Sequence, residues 1–166
     1  MFRNQAYFDS FYQHGTIIGE GGYKTVLRCV RADGKEEAVS IMDLQDLKSK
    51  GSFISRPSID LIVVAQQEIQ CAVLLSLLAK YKIVPFFTEI YSMFHASYTP
   101  SFISVFRAST EYLYTRMELA NRGDLESFLQ QQPVEDPLFI LQVFLQMVLA
   151  LYTAWQSVGV SLGTDE

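Results

Sequence analysis

Apolar and polar residues alternate through the first quarter of the chain, then give way to a helical period. Thr16–Gly19 is a short β-rich run ending in glycines. Tyr23–Val30 alternates and is rich in β-branched residues, and Glu37–Leu44 repeats the pattern. Between these two runs stands Asp33-Gly34, a strong signal for a two-residue hairpin turn. The opening segment therefore predicts a three-stranded antiparallel meander.

Gln45–Pro57 is polar and carries Gly51, Ser52, Ser55 and Pro57, which reads as a loop. Ser58 can cap a helix that runs to about Lys80. Pro85–Ala96 reads as extended, Ser97–Pro100 as a turn, and Phe102–Phe106 and Glu111–Leu119 as strands. Asp124–Gln131 predicts a short helix. Asp136-Pro137 is a good N-cap and first-turn pair for a longer helix over Leu138–Gln156, whose Ile140, Val143, Phe144, Met147, Val148 and Leu151 recur at helical spacing. The order is β-β-β-α-β-β followed by two helices, an α+β fold. Residues 1–119 form one expected domain. Residues 120–166 begin a helical layer that needs more chain than is present.

Composition narrows the function classes. The chain has 166 residues, 49% of them hydrophobic, enough for a substantial core. A net charge of −5 and a pI near 5.0 argue against nucleic acid as a partner. Cys29 and Cys71 form no CxxC and have no histidine nearby, so neither a disulfide framework nor a metal site is implied. Arg3, Asn4, Gln5 and Asp9 interrupt any signal-peptide core. The apolar runs Leu61–Ala65 and Cys71–Leu75 are too short to span a bilayer. The expectation is an intracellular protein, cytoplasmic or nuclear, with no membrane partner.

Gly19-Glu20-Gly21-Gly22-Tyr23-Lys24-Thr25-Val26 resembles the protein-kinase glycine-rich loop, G-x-G-x-x-G-x-V. It falls on a hairpin, as in kinases, and not between a strand and a helix, as in dinucleotide-binding folds. Ala38-Val39-Ser40-Ile41-Met42-Asp43-Leu44 is similar to the kinase A-V-K-I-M-D-L strand, with Ser40 where the phosphate-pairing lysine belongs. Lys24 and Val26 share a strand face. Ala38 and Ser40 share one too. Three readings stay open. The lysine has moved to Lys24, as in the with-no-lysine kinases with their G-x-G-x-F-K-T-V loop; or the site is degenerate; or Lys24 is a solvated surface residue.

Glu68 is the only acid between Leu61 and Lys80, where kinases place the glutamate that holds the catalytic lysine. A solvated glutamate on a polar helix face is the plainer alternative. Phe87–Phe94 is similar to the next kinase strand. Tyr112-Leu113-Tyr114-Thr115-Arg116-Met117-Glu118-Leu119-Ala120-Asn121-Arg122-Gly123-Asp124-Leu125 resembles kinase hinges such as Y-L-Y-I-V-M-E-Y-x-x-G-G-D-L. The resemblance implies Met117 as gatekeeper, backbone groups of Glu118 and Ala120 at the adenine edge, and Asp124 on the ribose, where it equally suits a helix N-cap. Gly19, Gly21, Gly22, Val26 and Ala38 complete the implied cofactor site. Leu75-Ser76-Leu77-Leu78 and Ser97-Tyr98-Thr99-Pro100 look like the haspin branch.

The resemblance covers about Thr16 to Gly159. It implies a kinase-like N-lobe, a five-stranded antiparallel sheet with one helix, followed by a hinge and the first helices of an incomplete C-lobe. The implied cofactor is ATP, with Mg2+ in an intact homologue, and the implied partner a protein substrate or a protein ligand. No H-R-D or D-F-G motif occurs in the sequence. The expectation is ATP binding by this chain, with phosphoryl transfer only in a longer one, the alternative being a non-catalytic, pseudokinase-like interaction module. His14 and His95 are expected to be structural or solvated.

Overall fold

The computed structural model describes residues 2–3, 5–21, 24–51, 61–99, 111–121, 125–131 and 136–158. They form strands β1 (Phe2–Arg3), β2 (Tyr12–Glu20), β3 (Lys24–Arg31), β4 (Glu36–Asp43), β5 (Ile90–Ala96) and β6 (Tyr112–Met117), and helices α1 (Gln5–Phe11), α2 (Leu44–Gly51), α3 (Leu61–Lys80), α4 (Leu125–Gln131) and α5 (Pro137–Val158). The chain divides into two compact units. One holds Met1–Ile69 and Ile90–Leu119, the other Gln70–Glu89 and Ala120–Glu166.

The first unit is a sheet ordered β1-β5-β6-β4-β3-β2. Five strands are antiparallel neighbours, and the two-residue β1 adds in parallel to β5. The expected meander is present as β2-β3-β4. Its second turn closes through Gly34, whose φ of 80° is a left-handed conformation that favours glycine. There Arg31 N donates to Lys35 O at 2.8 Å and Gly34 N to Arg31 O at 2.9 Å.

Alternation gives this sheet two faces. Leu27 and Cys29 of β3, Val39 and Ile41 of β4, Phe94 and Ala96 of β5, and Tyr112 and Tyr114 of β6 share one buried cluster with Phe8 and Tyr12. Phe94 stacks on Tyr114 with ring centroids 5.0 Å apart, and Phe8 meets Tyr114 edge-on at 5.3 Å. The opposite face carries Met42 and Leu113, which cluster with Leu47 of α2 and Ala65 of α3, Ile69 and Met93 packing against them.

Three elements were not expected, and the two-residue β1 beside β5 is the first of them. α1 supplies the fully buried Phe8 and the half-buried Phe11 to the first face. Its short length and mixed polarity give no helical period to read. α2 replaces the start of the loop expected over Gln45–Pro57. The Asp43 carboxylate accepts from Asp46 N at 2.8 Å, which caps the helix, and buried Leu47 anchors it to the sheet. Leu44 packs against the same cluster, and for a helix of eight residues such packing, more than propensity, supplies the stability. Over Pro85–Ala96, strand geometry begins only at Ile90. The expected strand over Phe102–Phe106 and the cap at Ser58 lie outside the described residues.

In the second unit the last turn of α3 ends in paired bonds: Ile83 N donates to Leu78 O and Lys82 N to Ala79 O, each at 2.9 Å. This closure puts Lys82 in the left-handed region with φ 56°, a place usually given to glycine. α5 starts as expected. The Asp136 carboxylate accepts from Leu138 N at 2.9 Å. Phe128 of α4 stacks on Phe139 of α5 at 5.8 Å.

α5 is apolar around most of its circumference. Leu138, Leu141, Phe144, Leu145, Met147, Leu149, Tyr152 and Trp155 are exposed, whereas Ala150 and Ala154 are buried. Its stretch Pro137–Ser157, with mean hydropathy 1.8, is long and apolar enough to cross a membrane by length and composition. A search for uninterrupted apolar runs does not register this stretch. Gln142, Gln146, Thr153 and Gln156 interrupt the runs in α5 without adding a charge.

The two thiols occupy different surroundings. Burial pushes the Cys29 thiol up to about 12, and the Glu37 carboxylate acts in the same direction. Cys71 on α3 is half-buried. A maleimide at pH 7.5 is therefore expected to modify Cys71 in the folded protein and to reach Cys29 only on unfolding, as read by peptide mass spectrometry. The unfolded chain releases the thiol proton near the ordinary value of about 8.5, while the folded protein keeps it to a higher pH. Cys29 thus adds stability that is fully present below pH ~8.5 and is lost as pH rises towards the folded value. The urea midpoint should be lower at pH 10.5 than at pH 8.

Candidate functional site

The candidate site is built on the α3 side of the sheet. Directly opposed residues share a face, and the ladders pair Lys24 with Met42, Val26 with Ser40, Ala38 with Met117 and Ser40 with Thr115. One surface therefore presents Lys24 and Val26 of β3, Ala38 and Ser40 of β4, and Thr115 and Met117 of β6. Five of the residues expected to act together lie on or beside it: Lys24, Val26, Ala38, Met117 and Glu68.

Lys24 Nζ pairs with Glu68 Oε1 of α3. The pair joins residues 44 positions apart and fixes the glycine hairpin to the helix. Lys24 thus has a carboxylate partner on the helix and is also partly solvated. Side-chain exposures of 35% and 39% leave both groups reachable from solvent. Ser40 is buried at 9% exposure and contributes no charge to this surface.

The hairpin turn itself is tight. Gly21 N donates to Lys24 O at 2.8 Å. A Cβ added at Gly19 would come no nearer than 3.9 Å to Val26, and one at Gly21 no nearer than 3.5 Å to the Lys24 carbonyl. Those are ordinary contacts, and neither glycine takes a positive φ. The fold does not itself require glycine at these two positions. Gly22 and Asp124 lie outside the described residues. Glu118 and Ala120 are exposed; Ala120 belongs to the second unit. His14 is exposed on β2, and His95 is half-buried on β5.

A cavity of about 480 Å³ adjoins the Lys24–Glu68 pair without including it. Met42, Leu47, Ala65, Ile69, Met93 and Leu113 give it apolar walls, and the Lys48–Glu111 ion pair at 2.6 Å stands at its edge.

A second ionic cluster occupies the other face of the sheet and was not expected from sequence. Glu37 is 2% exposed. Arg116 contacts both of its carboxylate oxygens, with Nη2 donating to Oε1 and Nε to Oε2, each at 2.9 Å. Arg31 Nη1 donates to Oε1 at 2.9 Å, and the Tyr12 hydroxyl to Oε2 at 2.8 Å. The Phe11 ring lies under both guanidinium groups, 4.2 Å from Arg116 and 4.8 Å from Arg31. Burial raises the Tyr12 pKa and keeps its hydroxyl a donor, although Arg116 pulls the other way. For Arg116, burial alone would favour proton loss, but Tyr12 and Glu37 outweigh it and hold the guanidinium charged. The available signal was Arg116, the one charge in the six residues of β6; Glu37 gave none, standing beside the exposed Glu36 at the start of β4.

No protein-family model matches the chain, and no curated protein matches it.

The exposure of the Lys24–Glu68 pair limits its worth to stability. Solvent-exposed ion pairs contribute about 0–1 kcal/mol. Glu68→Gln is therefore expected to change the unfolding free energy by less than about 1 kcal/mol in urea titration. A much larger loss would mean that the pair serves the fold and not a ligand.

Proposed function

We propose that this chain binds ATP as a protein-kinase-like amino-terminal lobe, with Lys24 as the cation that meets the phosphates. The observation that carries this reading is the pairing of Lys24 with the lone acid of α3, on the same strand face as Ser40. A lysine steadied by a carboxylate is a cation set in place beside the glycine hairpin, where a phosphate could meet it. Relocation of the lysine accounts for Ser40: a small residue there leaves the surface clear for the long side chain arriving from β3.

Gly19 and Gly21 support the same reading. Since neither packing nor backbone conformation calls for glycine there, close approach by a ligand gives their absent side chains a purpose. Val26, Ala38 and Met117 supply an apolar wall for a base, and Glu118 continues β6 with backbone groups for its edge. Mg2+ would accompany the triphosphate. The broader reading is a serine/threonine-kinase-like protein acting on a protein substrate. The exposed apolar surface of α5 favours a second reading, a kinase-like interaction module whose partner covers that helix.

Calorimetric titration with ATP and magnesium tests the proposal. Wild-type protein is expected to bind. Lys24→Met should weaken binding by about tenfold or more, the worth of a charge-assisted hydrogen bond at ~1.5–3 kcal/mol. Ser40→Ala should stay within about twofold, since it removes no charge–phosphate contact. Gly21→Ala should weaken ATP binding while leaving the melting temperature unchanged. Equal affinities for wild type and Lys24→Met would refute the assignment of Lys24.

A further inference from the structure

The β4–β6 ladder runs out where the proposed adenine wall begins. Its last paired residues are Ala38 and Met117. The β5–β6 ladder also ends at Met117, after an irregularity between Ile90 and Ser92. Backbone pairing on both sides of β6 therefore stops at the residue before Glu118. Strand ends without continuing ladders fray.

The buried ion pair sits at this end. Glu37 precedes Ala38, and Arg116 precedes Met117. Because neighbouring side chains point to opposite faces, Ala38 and Met117 face the candidate site while Glu37 and Arg116 meet behind it. Arg116 reaches three strands: Glu37 on β4, the Tyr12 hydroxyl on β2 at 2.8 Å, and Ser92 Oγ on β5 at 3.4 Å. A slip of one residue would turn Met117 into the aromatic core and Arg116 into the site. The bidentate contact penalises that slip strongly, since it would leave the buried Glu37 carboxylate without its main partner.

We propose that Glu37 and Arg116 are positioning residues for the adenine-binding edge, locking Ala38, Met117 and Glu118 in register from the far face of the sheet. The proposal rests on the ATP reading above and assigns the base half of that site to a clamp that never touches the ligand. Arg31 shares Glu37 but lies on β3, which β4 separates from β6, and its described partners Glu37, Asp33 and Phe11 include no residue of β6. It contributes to stability without setting the edge.

The test separates base from phosphate. Adenosine reports the base edge, inorganic tripolyphosphate reports Lys24, and ATP reports both. Binding is measured for wild type, Glu37→Gln, Arg116→Lys, Arg31→Gln and Lys24→Met, at a temperature where far-UV circular dichroism shows each folded. Glu37→Gln and Arg116→Lys are expected to weaken adenosine and ATP by the same factor, roughly five- to tenfold for two misaligned neutral hydrogen bonds, and to leave tripolyphosphate unchanged. Arg31→Gln should lower the melting temperature and spare adenosine. Lys24→Met should do the reverse of the clamp variants, losing tripolyphosphate and keeping adenosine.

Should Glu37→Gln fail to fold, Arg116→Lys carries the test, since it keeps the charge and loses only the fork. Unchanged adenosine affinity in the folded clamp variants would overturn the positioning role while leaving the ATP reading intact. So would an equal loss for adenosine and tripolyphosphate, or an equal loss of adenosine in Arg31→Gln, because the effect would then be general loosening. If both clamp variants fail to fold, the pair holds the whole sheet and the proposal also falls. Wild-type protein that binds none of the three probes would overturn the ATP reading and this inference with it.

Discussion

A strand can show each residue to only one of two faces, and everything described for the first unit follows from that restriction. β3, β4 and β6 sort their side chains in register. Aromatic and aliphatic residues go to the side covered by α1. Lys24, Val26, Ala38, Ser40, Thr115 and Met117 go to the side of α3. Neither face can be altered alone, because a shift that repairs one misplaces the other. The candidate site and the aromatic core are two readings of one ladder.

The two glutamates show how burial decides the use of a charge. Glu37 is shut away and surrounded by two guanidinium groups and a phenol. A carboxylate so placed has little spare capacity for a ligand, and removing one partner leaves an expensive uncompensated charge. Glu68 pairs with Lys24 at a place open to water. That pairing contributes little energy. The first arrangement suits holding a shape, and the second suits meeting an anion.

Much of this was legible in the sequence, and the failures have physical reasons. The meander, the Gly34 turn, α3 and the capped start of α5 follow from period, turn chemistry and capping, all local properties. The meeting of Lys24 with Glu68 was suggested by the glycine motif and a lone acid in an apolar helix. α1 and α2 were missed because each owes its existence to one or two large apolar residues, Phe8 and Leu47, packed on distant strands. The Glu37 cluster was missed for a related reason: a charge in a strand reads as a solvent-facing position until a helix is known to cover it. The length of α5 as an apolar element escaped a search for uninterrupted runs because glutamine breaks a run without bringing a charge.

The Tyr12–Arg116 hydrogen bond spans 104 positions in the chain. Its consequence concerns the order in which the protein can assemble. The hairpins of β2, β3 and β4 close short loops and can form while the chain is still being made. The residues of α1 and Tyr12, made well before β6, must wait for that strand before their aromatic side chains are covered. During that interval Phe8 and Phe11 stay in water, and the loop-closure entropy of most of the unit is still unmatched by contacts. The segment from α1 to Tyr12 is thus made before β6 and secured only with it, so the nascent sheet carries an uncovered aromatic face until β6 arrives.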